Sequence, residues 1–586
     1  MSLKPRIGVY ICHCGVNIAA TVDVAAVTEF AAHLPGVVIA RNYTYMCSDP
    51  GQVLIKNDIL ELNLNRVVVA SCSPRMHEAT FRAAVADGGL NPYCFEMANI
   101  REQCSWVHPN EPATTQKAME LVASSVAKAG QLHPLEVRQV SVTPAALVIG
   151  GGIAGLQAAL DIADAGFQVT LVEQADRLGG QMARLHRTFP TLESTASLLE
   201  PVVARTMSHP NIQVMTGARV TEVGGYVGNF EVQVRQGEQE STVPAGTIVV
   251  ATGYEVFDAR RRPELGYGQY PQVITTLDFE SMAAGELGTN GSSPKDVVFI
   301  QCVGSRDQNL GNAYCSRVCC MVTARQAHLV RQRLPDARVT VFYMDVRAYG
   351  KGFEEYYDQL REEGVLYRRG NPSEIIRRGE RVVVRAEDTF LGEVVEVEAD
   401  LVVLAVGMTA HRESAEIARL LKLSRSGDGF LMEAHPKLRP VDTSMAGVYL
   451  AGCCQGPKDI TDTVAQARAA AAAAMIPLMR GQVQVEATTS FIDEELCAGC
   501  GQCAQVCTFS ALSLHPVRHV MTVNAVLCQG CGACAAACPS GAINVHHFTF
   551  DQFIRQVEAL SDWHFQALPI LEPLVPAPPV LAPQST

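Results

Sequence analysis

Eight cysteines near the C-terminus fall in two runs that share the spacing C-x2-C-x2-C-x3-C. This spacing lets one tight loop present three thiolates to a cubane iron–sulfur cluster while the fourth thiolate reaches a second cubane. Disulfides or zinc sites rarely produce two such triplets. We therefore predict two [4Fe-4S] clusters that exchange their fourth ligands: Cys497, Cys500, Cys503 and Cys538 for one, and Cys528, Cys531, Cys534 and Cys507 for the other.

Four further cysteines lie within nineteen residues in the middle of the chain: Cys302, Cys315, Cys319 and Cys320. Such crowding is typical of an iron–sulfur site, with unusual geometry at the adjacent pair. A redox disulfide and an inert buried core are the alternatives, although a disulfide between Cys319 and Cys320 would close a strained ring. The pattern favours a third cluster held by these four thiolates.

The first 135 residues or so carry cysteines at irregular intervals. Cys12 and Cys72 each follow a predicted strand, and open α/β sheets bind ligands at the carboxyl ends of their strands. We predict a further cluster on Cys47, Cys72 and Cys104, with Cys12 or Cys14 as the fourth ligand. Irregular spacing cannot fix a ligand set, and scattered buried thiols are the alternative.

A glycine-rich turn, Gly150 to Gly155, follows a short apolar strand predicted at Ala145 to Ile149. The spacing G-x-G-x-x-G removes side chains that would keep a pyrophosphate from the N-terminus of the next helix. Glu173 ends the following predicted strand, where an acid hydrogen-bonds an unphosphorylated ribose. With the continuation Arg177 to Gln181, the segment resembles the FAD-binding half of flavoproteins such as thioredoxin reductase. FAD is therefore favoured here over NAD.

Two later strands, predicted at Thr247 to Gly253 and Gly447 to Gly452, resemble those that complete the FAD domain in such flavoproteins. In these relatives an aspartate follows the last glycine and binds the ribityl chain, whereas Cys453 follows it here. We expect Asp459 or a backbone amide to take over that contact. The residues expected to bind FAD are Gly150, Gly152, Ile153, Ala154, Gly155, Glu173, Gln174, Gly179, Gly180, Gln181, Val220, Thr252, Gly253 and Gly452.

A second β-α-β unit is predicted between Asp296 and Glu393, with strands at Val297 to Ile300 and Val339 to Met344. In NADPH-dependent relatives the first of these strands leads into a glycine-rich turn. Here the turn, Ile300 to Ser305, lacks the necessary glycines. The sequence therefore disfavours nicotinamide as the direct electron donor.

Composition narrows the class of protein. A net charge of −13 and a pI near 5.6 argue against a nucleic-acid partner, which requires a basic face. Twenty cysteines without a recognisable secretory signal indicate a reducing compartment, and we expect a cytoplasmic protein. No apolar run reaches the roughly 18 residues of a membrane span.

The predicted fold is α/β, with a thioredoxin-reductase-like pair of Rossmann-type domains for FAD, an N-terminal α/β cluster domain and a C-terminal α+β two-cluster ferredoxin domain. We divide the chain into an N-terminal cysteine-rich domain (1–138), an FAD domain in two parts (139–295 and 401–484), a second Rossmann-like domain with the four-cysteine site (296–400), a ferredoxin domain (485–548), and a helix with a proline-rich tail (549–586).

Nearly the whole chain resembles the A-subunit family of heterodisulfide reductases (HdrA). The resemblance rests on Cys12-His13-Cys14-Gly15, on Ser71 to Arg75, on the glycine fingerprint, on Cys302 to Cys320 and on the terminal double cluster. In that family the middle cysteines correspond to ligands of a cluster close to the flavin. Longer archaeal members carry a second ferredoxin module in the flavin domain, whereas this chain has no cysteine between Glu173 and Cys302.

The resemblance implies an electron-transfer subunit of a multi-subunit redox complex. Hydrogenase or formate dehydrogenase partners would deliver electrons, one going toward a disulfide on another subunit, the other toward ferredoxin. FAD would split the electron pairs, because a flavin exchanges electrons singly or in pairs whereas a cubane carries one. A passive relay scaffold and a self-sufficient NAD(P)H oxidoreductase are the alternatives. We also expect a homodimeric core, and we expect no catalytic acid, base or nucleophile. A role for Lys351 at the edge of the flavin is less favoured than the alternative that this lysine is simply solvated.

Overall fold

The computed structural model describes residues 4–285, 287–288 and 293–567. These residues form two compact units. The terminal unit combines the chain up to Arg138 with the chain from Val485 onward, and the central unit runs from Gln139 to Gln484. The proline-rich tail expected at 568–583 lies outside the described residues.

The N-terminal part of the terminal unit is a four-stranded parallel sheet in the order β2-β1-β3-β4. Its strands are β1 Ile7–Cys12, β2 Val37–Tyr43, β3 Arg66–Ser71 and β4 Phe95–Asn99. Its helices are α1 Val24–Ala32, α2 Asp49–Glu61, α3 Pro74–Asp87 and α4 Pro112–Ala129. The central strand β1 is buried along its whole length, as expected for a parallel strand covered on both faces. Cys12 is its last residue and Cys72 follows β3, so both lie at the carboxyl edge of the sheet.

The FAD-type domain of the central unit is built on a five-stranded parallel sheet in the order β23-β12-β6-β7-β8 and an antiparallel sheet β11-β10-β9. Its strands are β6 Ala145–Ile149, β7 Gln168–Val172, β8 Ile212–Met215, β9 Ala218–Tyr226, β10 Asn229–Gln236, β11 Gln239–Ala245, β12 Thr247–Val250 and β23 Val448–Leu450. Its helices are α5 Ile153–Asp164, α6 Thr195–Ser208, α10 Ser414–Leu421 and α11 Ile460–Arg480. Alanines of α11 and α5 share the buried core, which lets the two helices approach closely. Short strands β5 Arg138–Ser141 and β24 Gln482–Val485 lie at the two ends of this part of the chain.

The second domain of the central unit repeats the same plan with a parallel sheet, β14-β21-β15-β16-β17, and an antiparallel sheet, β18-β19-β20. Its strands are β14 Val273–Thr275, β15 Asp296–Val303, β16 Arg338–Tyr343, β17 Leu366–Arg369, β18 Pro372–Arg378, β19 Arg381–Asp388, β20 Glu393–Ala399 and β21 Leu401–Val406. Its helices are α7 Thr276–Ala283, α8 Cys319–Arg333 and α9 Phe353–Glu362. The strands β13 Tyr254–Val256 and β22 Met408–Ala410 pair with each other where the chain passes between the two domains.

The C-terminal part of the terminal unit contains two short hairpins, β25 with β28 and β26 with β27. Its strands are β25 Ser490–Ile492, β26 Leu512–Leu514, β27 Met521–Val523 and β28 Ile543–Val545, and its helices are α12 Gln502–Gln505, α13 Ala533–Ala536 and α14 Phe550–Ala567. Helix α14 packs on α4 of the N-terminal part, and the amide of Gln556 donates to Ser124 Oγ at 3.2 Å. An ion pair between Arg82 and Glu486, at 3.1 Å, also joins the two parts.

The predicted fold class is confirmed, with two Rossmann-type sheets, an N-terminal α/β domain and a small C-terminal module of hairpins. The sequence analysis did not anticipate that the two ends of the chain fold together as one unit. Among the described residues, no helix combines the length and apolar character needed to cross a lipid bilayer.

Candidate functional site

A cavity of about 790 Å³ opens in the central unit, between the glycine-rich turn and the second domain. Most residues that the sequence predicted to bind FAD line this cavity. They are Gly150, Gly152, Ile153, Ala154, Glu173, Gln174, Gly180, Gln181, Val220, Thr252 and Gly253. The cavity is large enough for an extended dinucleotide, since small-molecule sites of about 300 to 1,000 Å³ bury most of their ligand.

The glycines are required by close approaches of the backbone. A Cβ on Gly155 would lie 1.8 Å from the Gly150 carbonyl oxygen, and one on Gly150, where φ is 111°, would lie 2.3 Å from the Ala251 carbonyl oxygen. Helix α5 begins at Ile153, so its free amides open onto the cavity next to these glycines. This arrangement fits a pyrophosphate at the helix N-terminus.

Glu173 follows β7 and is held by two backbone amides. Gly151 N donates to its Oε2 at 2.6 Å, and Ala175 N donates to its Oε1 at 2.7 Å. The carboxylate is therefore fixed at the wall of the cavity, where it can accept from a ribose diol. The donor set fits the adenosine half of FAD.

Three predicted FAD residues do not line the cavity but support its wall. Gly155 lies against the Gly150 carbonyl, and Gly179, at φ 113°, donates its amide to the Gly151 carbonyl at 2.8 Å. Gly452 donates its amide to Gln466 Oε1 at 2.8 Å. Their direct contact with FAD therefore stays a prediction.

The opposite end of the cavity is where the isoalloxazine ring fits, because the glycines and Glu173 fix the other end of the dinucleotide. Cys319, Tyr254 and Cys453 lie near one another and line this cavity, and so do the first residues of α11. Asp459 also lines the cavity, but its Oδ1 caps α11 by accepting from Asp462 N at 2.8 Å. The N-terminal amides of α11 favour negative charge here.

Lys458 is a cavity residue that the sequence analysis missed. Its ammonium donates to Gln455 Oε1 at 2.6 Å, and burial lowers the pKa of the side chain. Lys351, weighed from the sequence, is exposed and does not line the cavity. The sequence held one signal for Lys458, which is its position next to Asp459, the residue expected to contact the ribityl chain.

The four middle cysteines converge at the carboxyl end of β15, where α8 begins. Burial raises the pKa of Cys302 to about 12, and like charges on Cys320 and Cys315 add to the rise. Burial also raises the pKa of Cys319, and Cys302, Cys320 and Cys315 each contribute. Amides of Arg317 and Arg347 donate to the sulfurs of Cys315 and Cys320 at 3.3 and 3.4 Å. Metal coordination would supply the positive charge that stabilises thiolates at such a buried group of sulfurs.

The loop between Gly304 and Val318 folds over the end of β15. The amide of Asn312 donates to the Gly304 carbonyl at 2.9 Å, and Met408 N donates to Ser316 Oγ at 2.8 Å. A Cβ on Gly304 would lie 2.1 Å from the Phe257 ring. This edge of the sheet, where a dinucleotide binds in Rossmann-type domains, is therefore filled by the loop and the cysteines.

In the N-terminal domain the structure brings together Cys12, Cys14, Cys47 and Cys72. Burial raises the pKa of Cys12, and the charges of Cys14 and Cys47 add to the rise. Burial raises the pKa of Cys72 to about 11, and the charges of Cys14 and Cys12 add to it. Cys12 Sγ also accepts from the amides of Cys14 and Met46 at 3.3 and 3.4 Å. Four neighbouring thiols, with backbone amides that donate to Cys12, are suited to holding an iron–sulfur cluster at the carboxyl edge of the sheet.

Cys104, predicted as a ligand, lies apart from this group. It sits in a π-helical turn, Arg101–Ser105, is fully buried in the core formed with α1 and α4, and donates its thiol to the Thr114 carbonyl at 3.3 Å. The charged groups that act on the Cys104 thiol are Lys117 and Glu120, and no other N-terminal cysteine is among them. The sequence could not distinguish Cys104 from Cys14, because the cysteines of this region are irregularly spaced.

In the C-terminal module Cys507 lines the same small cavity as Cys528, Cys531 and Cys534. The spacing predicts that these four cysteines form one exchanged ligand set, which stays a prediction. Backbone amides of Met521, Ala511 and Ser490 donate to Cys497, Cys507 and Cys528 at 3.4, 3.3 and 3.4 Å. Within the described residues, no three His, Cys, Asp or Glu side chains surround a single metal-ion position. A cubane needs a wider arrangement, because each thiolate binds a different iron atom.

Two known protein families match this chain, one over most of the central unit and one over the C-terminal module. The Pyridine nucleotide-disulphide oxidoreductase family matches residues 144–474, and the 4Fe-4S dicluster domain family matches residues 486–542. A thioredoxin reductase structure from T. acidophilum is 19% identical, with a TM-score of 0.41, and covers 58% of this chain and 99% of its own. The fold and the site define an iron–sulfur flavoprotein oxidoreductase, with FAD and 4Fe-4S clusters as its cofactors.

Two archaeal relatives cover most of the chain. One is the second iron-sulfur A-subunit of the CoB--CoM heterodisulfide reductase of Methanopyrus kandleri, which is 47% identical over 599 residues, covering 87% of this chain and 91% of the relative. The other is the A-subunit of the H(2):CoB-CoM heterodisulfide,ferredoxin reductase of Methanothermobacter thermautotrophicus, which is 45% identical over 643 residues, covering 95% and 97%. The chain belongs to the A-subunit family of heterodisulfide reductases, which confirms the resemblance drawn from its motifs.

Proposed function

We propose that this chain is the electron-transfer subunit of a heterodisulfide-reductase-like complex, and that it splits electron pairs at FAD. One electron of each pair goes toward a disulfide-reducing partner of high potential, and the other goes toward a ferredoxin-type acceptor of low potential. The observation that carries the proposal is that Cys319, one of the four middle cysteines, lines the same cavity as the residues that fit FAD. A one-electron centre therefore adjoins a two-electron centre.

FAD supplies the ability to take up two electrons together and to release them one at a time. The chain's own residues bind and orient it: the glycine turn and α5 hold the pyrophosphate, and Glu173 holds the ribose. At the other end, the amides of α11 and the ammonium of Lys458 present positive charge to the reduced ring system. Half-buried Tyr254 and buried Cys453 form part of the wall of the cavity that would receive the ring.

The metal ligands are proposed as four sets. The ferredoxin domain holds two clusters with exchanged fourth ligands, and the middle cysteines hold a third. For the N-terminal cluster we propose Cys12, Cys14, Cys47 and Cys72, in place of the set with Cys104. The mutual proximity of these four thiols and the separate packing of Cys104 support this choice.

The partners proposed are the other chains of the complex. The name of the M. thermautotrophicus relative pairs hydrogen with a heterodisulfide and ferredoxin, which supports ferredoxin, a hydrogen-linked donor and a disulfide-reducing subunit. A formate dehydrogenase donor and a homodimeric core remain part of the proposal. A nicotinamide donor is disfavoured, because the loop Gly304 to Val318 fills the edge of the second sheet.

The decisive experiment uses the purified complex with hydrogen or formate as donor. Splitting of electron pairs predicts that ferredoxin is reduced only while the heterodisulfide is also present and consumed, in about equal electron amounts. Ferredoxin reduction at the same rate without the disulfide would support the passive relay instead. Rapid bleaching of FAD by NADH or NADPH alone would support a self-sufficient NAD(P)H oxidoreductase.

A further inference from the structure

Arg101 is a buried cation at the N-terminal cysteine site. It is the first residue of the π-helical turn, and only 8% of its surface is exposed. Its Nη1 donates to Cys14 Sγ at 3.2 Å. Its charge also acts on Cys72 and Cys47, lowering the pKa of each thiol against the larger effect of burial. One guanidinium thus interacts with three of the four proposed ligands.

The position of Arg101 is fixed from several sides. Its Nη2 donates to Glu102 Oε1 and contacts Met76 Sδ, both at 2.7 Å, and its guanidinium stacks on the Trp106 ring at 4.5 Å from the ring centre. Glu102 is itself anchored, because Ser73 N donates to its Oε2 at 2.8 Å. The guanidinium and the carboxylate are therefore held at fixed places beside the sulfurs.

A fixed positive charge next to a cluster favours the reduced state, because reduction adds one negative charge. A guanidinium cannot lose its charge at any physiological pH. A hydrogen bond to a ligand sulfur acts in the same direction. Glu102 acts in the opposite direction, because its Oε2 accepts from the amide of Ser73, the chain neighbour of Cys72. In the ferredoxin domain the donors on the sulfurs named above are neutral amides.

We propose that Arg101 sets the potential of the N-terminal cluster, raising it above the potentials of the two ferredoxin-domain clusters, and that Glu102 limits the rise. This inference rests on the proposed N-terminal cluster. It assigns that cluster to the high-potential side of the chain, and leaves the ferredoxin domain as the place for low-potential electrons.

The test compares variants of the full chain in its complex. The N-terminal signal is identified by its absence in Cys72→Ser, and each variant is titrated anaerobically while electron paramagnetic resonance is recorded. Arg101→Gln is expected to keep its iron and to lower the midpoint potential, and Arg101→Lys to lower it less. Glu102→Gln, which keeps the contact with Ser73 N, is expected to raise it. Lys56→Gln removes a surface charge paired with Asp87 and serves as the matched control, with an unchanged midpoint.

Opposite shifts for Arg101→Gln and Glu102→Gln support the inference, since a merely structural role would not reverse sign with charge. Equal midpoints, or shifts in the same direction, overturn it while leaving the cluster itself in place. If Arg101→Gln loses its iron, the lysine variant and Glu102→Gln still decide the sign. If instead Cys72→Ser keeps all the iron of the parent protein, the proposed N-terminal cluster fails, and the role of Arg101 fails with it.

Discussion

The cysteine sites of this chain are built in two contrasting ways. In the C-terminal module each triplet runs from a short loop into α12 or α13, so a single stretch of sequence supplies three ligands. At the sheet edges of the N-terminal and second Rossmann-type domains, the thiols come from separate strands, loops and helix starts that meet only after the sheet has formed. Ligand sets of the first kind can be read from spacing, whereas those of the second kind depend on tertiary structure.

The largest effect is expected at the middle site. Replacing Cys319 by alanine removes one of four thiolates, and we expect a loss of about four iron atoms per chain with FAD content near normal. Iron, sulfide and flavin analysis of anaerobically purified protein measures both. Cys454→Ala is the matched control, because Cys454 is also buried but donates its thiol to the Val250 carbonyl. An unchanged iron content in Cys319→Ala would show that the middle cysteines do not hold a cluster through Cys319.

The N-terminal site offers a direct choice between two cysteines. We expect Cys14→Ala to lose the iron of this cluster, and Cys104→Ala to keep it while losing about 1 kcal/mol of stability from a small core cavity. Iron content and thermal unfolding distinguish the two variants. The opposite pattern would restore the set predicted from sequence and contradict the assembly described above.

The ferredoxin module should tolerate change at its fourth ligands better. Cys507→Ala is expected to remove about one iron, from the cluster held by Cys528, Cys531 and Cys534, and to leave the other cluster intact. Thr508→Pro introduces at this position the proline that follows the last cysteine of the second run, Pro539, and should leave the iron content unchanged. A loss confined to the cluster of Cys497, Cys500 and Cys503 would show that the ligands are not exchanged.

The last prediction concerns stability alone, at the attachment of the module to the N-terminal domain. His547 donates to the His133 carbonyl at 2.8 Å, and burial lowers its pKa to about 4. A histidine whose folded pKa lies below its unfolded value near 6.5 binds fewer protons when folded, so stability is lost as the pH falls from about 6.5 toward 4. We expect a loss of about 2 kcal/mol across this window.

Hydrogen exchange of α14 and α4, corrected for the intrinsic effect of pH, measures that loss. His547→Gln should flatten the pH dependence, and His33→Gln, an exposed histidine of the same unit, should leave it unchanged. Equal protection of α14 at pH 7 and pH 5 would argue against His547 as the group responsible.

The sequence predicted much of this architecture because several signals are local. The glycine turn, Glu173 and the ferredoxin spacing each lie within one loop or one β-α-β unit, where backbone geometry dictates residue type. The choice of Cys14 over Cys104 depends on the folded chain, in which Cys104 is part of the core with α1 and α4. Lys458 was missed because burial, which sets it apart from Lys351, is a property of the folded chain. The pairing of the two chain ends depends on contacts across more than four hundred residues.

That pairing has a consequence for biosynthesis. The side of α4 that receives α14 is made early, whereas α14 is among the last described elements to be made. At about 5 to 20 residues per second, the ribosome needs roughly 20 to 90 seconds to bridge the interval. During this time a nascent N-terminal domain exposes a surface that only the finished polypeptide can cover, which gives chaperones and cluster-delivery proteins a defined period in which to act.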